Sequence, residues 1–467
     1  MSTSLYNKIM KMLSLETVEG LYGELSRFRS WLESSREGLR VGHVEDIEDL
    51  NEATIVFTDG SNAITERRGA GVAVFSASSL AYHIERGDMR FIDKYVLTPD
   101  ICFLIILPRF YVGTRANNIM RSFEFLVTAY MADHIDDVDM VLLDGSYVST
   151  LLSARWGIEH LYRDLLDVFY RHLEVRNLDY STLRETFVGV CDTISSEVSK
   201  LLNTKIFCES RTPRIIAERF LSNYVLSISS VVECVEENFG IPQDGQIPLL
   251  NYVAMFIETN FMMKSLRLLL ETAKNLGIPV VWLNKEPESR ILAKSLDSRL
   301  LRMFTDALIL DFVLRKGEFL LYTEMPKITA SGKYISDRID IRDLQKTTHA
   351  VVPETADIVY GEFGDYGVIY VKYSDFVIQY TYPRSILGHD RRDRERLDSL
   401  LLGLVKLLGV VSPVGYPEPM IHAHLSTLLK SGLAEVMADS LASIIDSSGV
   451  DVLKRFIGKS GRRLVGI

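Results

Sequence analysis

Two short apolar runs in this chain lead directly into the same tripeptide, Asp-Gly-Ser. The first is TIVFTDGSNA at residues 54–63, and the second is DMVLLDGSYV at residues 139–148. Apolar runs of this length, bounded by turn-forming residues, are typical of buried strands. A segment with helical periodicity lies between them, at 115–135. The order strand, helix, strand predicts an α/β fold in which Asp59 and Asp144 each follow a buried strand.

The rest of the chain alternates between strand-rich and helix-rich segments in the same way. Further strand patterns occur at 69–78, 101–108, 277–285 and 317–382. The first two of these would complete an antiparallel meander with the first strand. We expect one elaborated domain over residues 51–467, a mixed sheet flanked by helices, with a large helical insertion at about 150–275.

Residues 1–50 are expected to form a separate helical segment, because apolar positions from Leu5 to Leu32 recur at three-to-four spacing. This segment is a candidate for dimer packing or for contact with a partner protein, and the competing interpretation is an ordinary core helix. The N-terminus lacks the apolar core and cleavage site of a secretory signal. No apolar run approaches the roughly 18 residues that are needed to span a bilayer. These features predict a cytoplasmic protein with no membrane partner.

The composition excludes several classes of function. With a net charge of −10, a nucleic-acid role would need local basic clusters, for which RSILGHDRRDRER at 384–396 and KRFIGKSGRRL at 454–464 are candidates. The four cysteines form no CxxC pair, which excludes a zinc ribbon. No GxxxxGK[ST] motif occurs, so any ATP-driven movement would come from a partner. Glutamine is scarce, which is typical of heat-adapted proteins.

A third acidic residue, Glu124, lies in the helical segment between the two Asp-Gly-Ser sequences. Met120, Val127 and Met131 share its helical face, so the carboxylate points along an apolar stripe. A buried glutamate without a partner is costly. Either Arg121, one turn earlier, compensates it as a structural ion pair, or a metal ion does so. Arg121 is also a candidate substrate contact.

The competing interpretation of each Asp-Gly pair is an ordinary turn, because aspartate bonds its own backbone and glycine accepts positive φ. If Asp59, Glu124 and Asp144 instead converge, two such carboxylates 4 Å apart would repel by about 4 kcal/mol. A divalent cation would relieve that repulsion, and all-oxygen ligands suit Mg²⁺ or Mn²⁺. Such sites cleave phosphodiesters. Acids on the first strand, the following helix and the fourth strand are the arrangement of an RNase H-like nuclease.

A last candidate segment lies far downstream, in GYPEPMIHAHLSTL at 415–428. Tyr416 precedes two prolines, and His424 follows eight residues later. A histidine can relay a proton, bind a metal or contact a phosphate. On a helix, the side chain of His422 would point elsewhere. The competing interpretation is a helix start with a stacked tyrosine, and histidines on a partly solvated face.

The segments FTDGS, RSFEFLVTAY, DMVLLDGS, VVWLNK, FTDALIL and GYPEPMIHAH, in this order over about residues 54–430, resemble the NurA nucleases of archaea and some bacteria. The resemblance implies an RNase H-like fold and a homodimer that encloses a narrow DNA channel. It also implies a Mn²⁺-dependent nuclease, with Mg²⁺ as the alternative ion. The implied activities are 5′-to-3′ exonuclease on single- and double-stranded DNA and endonuclease on single-stranded DNA. The usual partner is HerA, a hexameric DNA-translocating ATPase, in the end resection of double-strand breaks.

The resemblance places the metal ligands of the family on Asp59, Glu124 and Asp144. Its tyrosine and histidine fall on Tyr416 and His424, with the histidine as a further ligand or proton relay.

Three more positions of this sequence can be compared with the NurA family. Lys285 matches a strand-end lysine, with a phosphate-binding or structural role. Asp306 in FTDALIL also matches, although a helix N-cap explains it equally well. Gln379 lies where the family often has an arginine-glutamate pair, which leaves substrate contacts there in doubt.

Two alternatives stay open. One is another RNase H-like endonuclease, guide-directed or structure-specific, although no guide-binding module is recognisable. The other is a non-catalytic DNA-channel or adaptor subunit that docks an ATPase.

Overall fold

The computed structural model describes residues 41–448 apart from internal gaps at 98–99, 101, 177–179, 209, 242, 286, 288–289, 291–303, 323–353, 375, 413–415 and 431. The amphipathic segment from Leu5 to Leu32 therefore lies outside the described residues, as does the basic stretch at 454–464.

Ten strands in the described part of the chain form one mixed sheet. In chain order they are β1 (Val41–His43), β2 (Glu52–Glu66), β3 (Gly71–Glu85), β4 (Asp88–Leu97), β5 (Phe103–Ile106), β6 (Met140–Asp144), β7 (Val280–Asn284), β8 (Glu318–Tyr322), β9 (Tyr366–Lys372) and β10 (Val377–Pro383). Their order across the sheet is β1-β8-β9-β10-β7-β6-β2-β3-β4, and β5 pairs with β3 off this path.

Helices cover the sheet and fill the long connection between β6 and β7. They are α1 (Val112–His134), α2 (Tyr147–Arg176), α3 (Tyr180–Leu201), α4 (Pro213–Phe239), α5 (Gln246–Leu276), α6 (Asp306–Val313), α7 (Glu354–Phe363), α8 (Arg391–Val410), α9 (Glu418–Thr427) and α10 (Leu433–Ser448). Shorter turns are the 3₁₀ segments Val44–Asp46 and Gln243–Gly245 and a π-helical turn, Leu202–Ile206.

The centre of the sheet is parallel and its flanks are antiparallel. β6 runs parallel to both β2 and β7, and their apolar runs are buried, as expected for strands covered on two faces. The predicted meander is confirmed, because β3 pairs antiparallel with β2, β4 and β5. The mixed sheet flanked by helices, expected from the sequence, is therefore confirmed.

Helix α5 joins two hydrophobic cores. Met262 and Met263 pack into the core around the sheet, whereas Phe256 and Phe261 pack into a second core among helices α1 to α5. A helix that is apolar around its whole circumference must be buried on all sides. This explains why the connection between β6 and β7 folds back onto the sheet.

One feature of helix α4 was not expected from the sequence. Among the described helices, it is the one whose length and apolar composition would allow it to cross a membrane. In the fold its buried side chains form one stripe, which includes Ile216, Phe220 and Tyr224 and packs into the helical core. The helix is therefore an amphipathic element of this core.

Helix α6 begins differently from the prediction. Thr305 is its N-cap, since the threonine side chain accepts from the backbone N–H of Leu308 at 3.3 Å. The predicted N-cap role of Asp306 is therefore wrong. Asp306 is fully buried and accepts a hydrogen bond of 2.8 Å from the hydroxyl of Tyr370, to which the amide of Gln379 donates at 3.0 Å.

Candidate active site

The two Asp-Gly-Ser tripeptides have different local structures. The first, Asp59–Ser61, lies inside strand β2, where each residue pairs with a residue of β3. The predicted turn after Asp59 is therefore wrong, because antiparallel pairing continues to the end of the strand. The second tripeptide is a strand end, as predicted. Asp144 closes β6, and Gly145 has a φ of +101°, a backbone conformation that glycine adopts without strain.

The parallel pairing of β2 with β6 brings the two aspartates side by side. The last paired residues are Thr58 and Leu143, so Asp59 and Asp144 each stand one residue beyond the same pair. Strand β6 ends at that point while β2 continues, which leaves a step in the sheet beside Asp59. Ligands of α/β sheets commonly bind at such carboxyl ends of parallel strands.

Helix α1 carries Glu124 onto this step. Buried hydroxyls one turn later tie the helix to the sheet, because Thr128 Oγ1 lies 2.9 Å from Thr58 Oγ1. Thr58 Oγ1 lies in turn 2.8 Å from Ser79 Oγ. Glu124 packs against Gly60, where an added Cβ atom would lie only 2.5 Å from Glu124 Oε1. A glycine inside a strand often marks such a close approach, so Gly60 is a sequence signal for this contact, although the prediction did not include it.

Helix α9 supplies the histidine. Nδ1 of His424 hydrogen-bonds Oδ2 of Asp59 at 2.7 Å, and the backbone N–H of Gly60 donates to Oδ1 of Asp59 at 2.8 Å. Asp59 is 4% exposed, whereas the side chain of His424 is 44% exposed. The imidazole therefore lies between the buried carboxylate and solvent. His422 points elsewhere, as expected, with its Nδ1 2.9 Å from the hydroxyl of Tyr82.

Asp144 contacts the two remaining candidates. The hydroxyl of Tyr416 donates to Oδ1 of Asp144 at 2.8 Å, and Nζ of Lys285 lies 3.9 Å from Oδ2. The same ammonium group lies 5.2 Å from the centroid of the Tyr416 ring, within range of a cation–π contact. Lys285 follows β7, the parallel neighbour of β6, and lies two residues beyond Leu283, the residue of β7 that pairs with Asp144. The structure thus brings all these predicted residues to one step of the sheet.

The carboxylates at this step repel one another. Burial and then the charge of Asp144 raise the pKa of Asp59, against the opposing effect of His424. Burial and then the charge of Asp59 raise the pKa of Glu124 well above its ordinary value. Burial and the charge of Asp144 raise the pKa of Tyr416, which keeps its hydroxyl protonated and able to donate. The cluster therefore favours the binding of a proton or a cation.

Arg121 compensates Glu124 only in part. Its charge lowers the pKa of Glu124, but this effect is smaller than those of burial and of Asp59, which raise it. The hydrogen bond that Arg121 makes through Nη1 goes to Oγ of Ser153 in α2, at 3.1 Å. The structural ion pair that was the alternative to a metal ion is therefore not formed as a direct contact, and Arg121 acts on Glu124 through space.

The donor set suits a hard divalent cation. Carboxylate oxygens are the ligands that Mg²⁺ and Mn²⁺ prefer, and a cation among them would remove the repulsion that raises the pKa values of Asp59 and Glu124. The site is nevertheless open, because Asp59, Glu124 and Asp144 do not bring one ligand atom each within 4.8 Å of the others. This spread leaves room for water or substrate oxygens among the acids.

Within the described part of the chain, three other residues do bring possible metal-ligand atoms this close together. Glu52, His83 and Glu85 have ligand atoms that all lie within 4.8 Å of one another. They lie where β2 begins and β3 ends, and the side chain of Glu52 is 66% exposed. Exposed acids of this kind are common without a bound ion, and the sequence did not single them out.

Three arginines of the basic stretch at 384–396 are paired with acids. Its ion pairs join Arg384 to Asp398, Arg391 to Glu395 and Arg394 to Asp365. Arg384 and Arg394 are thereby held by acids of the fold, whereas the side chain of Arg391 is 90% exposed.

Topology and acid positions together define the class of this protein. A meander of β2, β3 and β4, followed by parallel β6 and β7, with acids on β2, α1 and β6, is the RNase H-like arrangement. The RNase H-like fold expected from the sequence is thereby confirmed.

Within this class, solved structures of NurA nucleases are similar to the chain. A structure of NurA bound to dAMP and manganese is 13% identical with a TM-score of 0.50, over 93% of this chain and 97% of that one. The NurA nuclease from Sulfolobus solfataricus is also 13% identical, with a TM-score of 0.47, over 96% of this chain and 98% of that one. No protein-family profile and no curated protein sequence matches. At this identity the likeness to the structure with dAMP and manganese establishes a shared fold, as the sequence resemblance implied.

Proposed function

We propose that this chain is a metal-dependent deoxyribonuclease that hydrolyses phosphodiester bonds of DNA. The observation that carries the proposal is the convergence of Asp59, Glu124 and Asp144 at one step of the sheet, where burial and mutual repulsion raise the pKa of the first two. The fold likeness supports it, since one similar structure is of NurA with dAMP and manganese bound.

The three carboxylates would hold the metal, with His424 as a further ligand or as the group that orients Asp59. When bound, Mn²⁺ or Mg²⁺ supplies a nucleophilic water near neutral pH and offsets negative charge on the phosphate. The three carboxylates differ in solvent exposure. Asp59 and Glu124 are buried, whereas the side chain of Asp144 is 25% exposed. Asp144 is thus the acid nearest to an incoming strand.

His424 is the residue best placed to move a proton. Its Nδ1 is engaged with Asp59, which leaves Nε2 of the half-exposed ring for water or a leaving oxygen. The hydrogen bond to Asp59 also fixes the orientation of the ring. This arrangement resembles the general pattern of a base that is held by a buried carboxylate.

Tyr416 and Lys285 would orient the phosphate. The Tyr416 hydroxyl is held by Asp144, and its ring supports the ammonium group of Lys285. The Lys285 side chain is 44% exposed, so it presents a positive charge at the rim of an acidic site. A cation at the rim would offset the repulsion between the acids and an incoming phosphate. Arg121, deeper beside Glu124, is proposed as a lesser substrate contact.

The finer functional proposals come from the sequence resemblance. They are 5′-to-3′ exonuclease activity on single- and double-stranded DNA, endonuclease activity on single-stranded DNA, and a homodimer that works with a HerA-type ATPase in the cytoplasm. The domain proposal is a helical segment at 1–50 and a nuclease domain at 51–467 with its helical insertion at about 150–275. Within 1–50, however, Val41–His43 is strand β1 and pairs with β8, so these residues belong to the sheet of the second domain. End resection of double-strand breaks would be the process served.

The proposal predicts a strict metal requirement. Purified protein should degrade linear single-stranded DNA in Mn²⁺, and duplex DNA more slowly. The metal is required because the acid cluster without it repels phosphate. Gel analysis of end-labelled strands should show that EDTA stops degradation and that excess Mn²⁺ restores it. Equal degradation in EDTA, or none with any divalent ion, would overturn the proposal. In the second case, retained stimulation of a HerA-type ATPase would favour the adaptor alternative.

Gly60→Ala is expected to lower the rate of DNA hydrolysis by about tenfold or more, because a Cβ atom would lie 2.5 Å from Oε1 and 2.8 Å from Cγ of Glu124. The carboxylate must then shift, and small displacements of catalytic groups are costly in rate. Gly113→Ala is a matched control, since a Cβ at this exposed position of α1 meets nothing within 4 Å. Steady-state cleavage and thermal melting should be measured for both. Equal rates for the two variants would show that Glu124 is not needed in its present position.

A further inference from the structure

A polar cavity lies in the helical region and shares no lining residue with the candidate active site. Its volume is about 440 Å³, within the range of roughly 300–1,000 Å³ that is usual for small-molecule pockets. The π-helical turn Leu202–Ile206, helix α5 and helix α7 enclose it. The lining residues that matter here are Asn203, Phe207, Arg211, Asn260, Lys264 and Arg267.

The wall of this cavity is cationic, although the protein as a whole carries a charge of −10. Arg211, Lys264 and Arg267 line it, and Glu271 is the one carboxylate among the described lining residues. Glu271 is already paired with Arg267 at 2.7 Å. Within the described part of the chain, this leaves Lys264 and Arg211 with no ion-pair partner of their own.

Lys264 is held in place rather than free to reach solvent. Its ammonium group donates to Oδ1 of Asn203 and lies 4.9 Å from the centroid of the Phe207 ring. Burial lowers its pKa to about 8, and the charge of Arg267 adds to the shift. A partly buried cation without a counter-ion is unfavourable, so an anion in the cavity would stabilise the charged lysine.

The π-helical turn and helix α5 hold the polar side chains of this wall in place. Leu202 and Ile206 are buried, which anchors the π-helical turn and directs Asn203 toward Lys264. Asn260 is 5% exposed on the facing side of α5 and is fixed by a hydrogen bond of 2.9 Å to the carbonyl of Phe256. Single π-helical turns occur frequently at functional sites.

We propose that this cavity is a binding site for a phosphate group. Lys264 and Arg211 would supply the charge and Arg267 a shared guanidinium, since guanidinium and ammonium groups are the usual protein partners of phosphate. The side chains of Asn203 and Ser210 offer further polar contacts on the same wall. The phosphate is carried by a free anion, a mononucleotide or a nucleic-acid strand, which share this chemistry. The site is independent of the proposed hydrolysis, because none of its residues takes part in it.

Isothermal titration of the full-length chain in EDTA tests this site, because the carboxylate cluster without metal repels phosphate. The probes are inorganic phosphate, deoxyadenosine monophosphate and a single-stranded oligonucleotide. Lys264→Gln and Arg211→Gln should each weaken binding by about tenfold or more. The matched control is Lys200→Gln, which removes a 69% exposed charge from the last turn of α3 outside the cavity and should leave affinity unchanged.

The probes separate the sources of the phosphate. Saturable, Lys264-dependent binding of the two small anions supports a site for free phosphate or nucleotide. Lys264-dependent binding of the oligonucleotide alone supports a strand contact. Absence of saturable binding for all three probes, or equal affinities in Lys264→Gln, Arg211→Gln and the wild type, overturns the proposal. Arg211 is exposed at the rim, so its substitution tests the site even if Lys264→Gln impairs folding.

A second readout follows from the chemistry of Lys264. A lysine with a pKa of about 8 reacts with amine-directed acylating reagents at pH 8 faster than ordinary lysines do, because more of it is neutral. Phosphate in the cavity should slow labelling of Lys264 but not of Lys200, as measured by peptide mass spectrometry. Labelling of Lys264 that is unaffected by saturating phosphate would contradict the proposed site.

Discussion

Asn in place of Asp59 is expected to reduce DNA hydrolysis by roughly a thousandfold or more, which corresponds to the several kcal/mol that a metal centre contributes to the transition state. Asparagine has the same shape, so its side-chain oxygen can still accept from the backbone N–H of Gly60. What it removes is the negative charge that would hold the cation and orient His424. The fold should survive, because β3 pairs with β2 at Asp59 and at the residues before and after it.

The measurement is the single-turnover rate of cleavage of single-stranded DNA in saturating Mn²⁺, with thermal melting as the test of folding. His424→Gln should lose about ten- to a hundredfold, the usual effect of a group that orients a metal ligand. His422→Gln is the matched control two residues away, since His422 contacts Tyr82 and should retain activity. If Asp59→Asn cleaves DNA at the wild-type rate, the carboxylate cluster is not the catalytic centre.

The convergence of the site residues was predictable from sequence because parallel strands align their carboxyl ends. Asp59 and Asp144 each follow an apolar run, and a common register then sets them one residue past the same pair. Lys285 follows from the same rule applied to β7. The periodicity of α1 placed Glu124 on its buried face. Tyr416 and His424 lie far in the sequence from the acids of the site. Only the resemblance to a known family connected them with these acids.

Other features depend on contacts that no local pattern encodes. The first Asp-Gly-Ser has the composition of a turn, but fifteen residue pairs with β3 hold it in a strand. Arg121 stands one turn from Glu124, yet its hydrogen bond goes to Ser153 of α2, which lies 32 residues away in the sequence. Asp306 looked like a helix cap, but the hydroxyl of Tyr370 reaches it from the sheet. In each case tertiary packing overrode a sound local preference.

Glu124→Gln is expected to stabilise the metal-free protein while it abolishes hydrolysis. Burial and the charge of Asp59 raise the pKa of Glu124 well above 4.5, so its ionised form opposes folding at neutral pH. Removing this charge should raise the free energy of unfolding by about 1–3 kcal/mol, the scale for a poorly compensated buried polar group. Opposite effects on stability and activity are the usual mark of a functional site.

The direction in which pH changes the stability of the metal-free protein follows from the raised pKa of Glu124. Because the pKa of Glu124 is higher in the folded than in the unfolded protein, the folded state binds more protons between the two values. Its contribution to stability is therefore lost as pH rises from about 4.5 through the raised pKa. Urea unfolding in EDTA should show this loss in the wild type and a smaller one in Glu124→Gln. Saturating Mn²⁺ should stabilise the wild type more than the variant, since it binds the folded wild-type site.

Glu258→Gln is the control that separates a functional from a structural buried glutamate. Glu258 lies on α5 beside α1 and is fully buried, but Nε and Nη2 of Arg115 donate to it at 2.8 to 3.0 Å. The same substitution there leaves Arg115 without its counter-ion, and breaking a buried ion pair costs about 3–5 kcal/mol. Glu258→Gln should therefore lower stability at neutral pH while Glu124→Gln raises it. Destabilisation by both variants would mean that Glu124 is compensated within the protein and needs no cation.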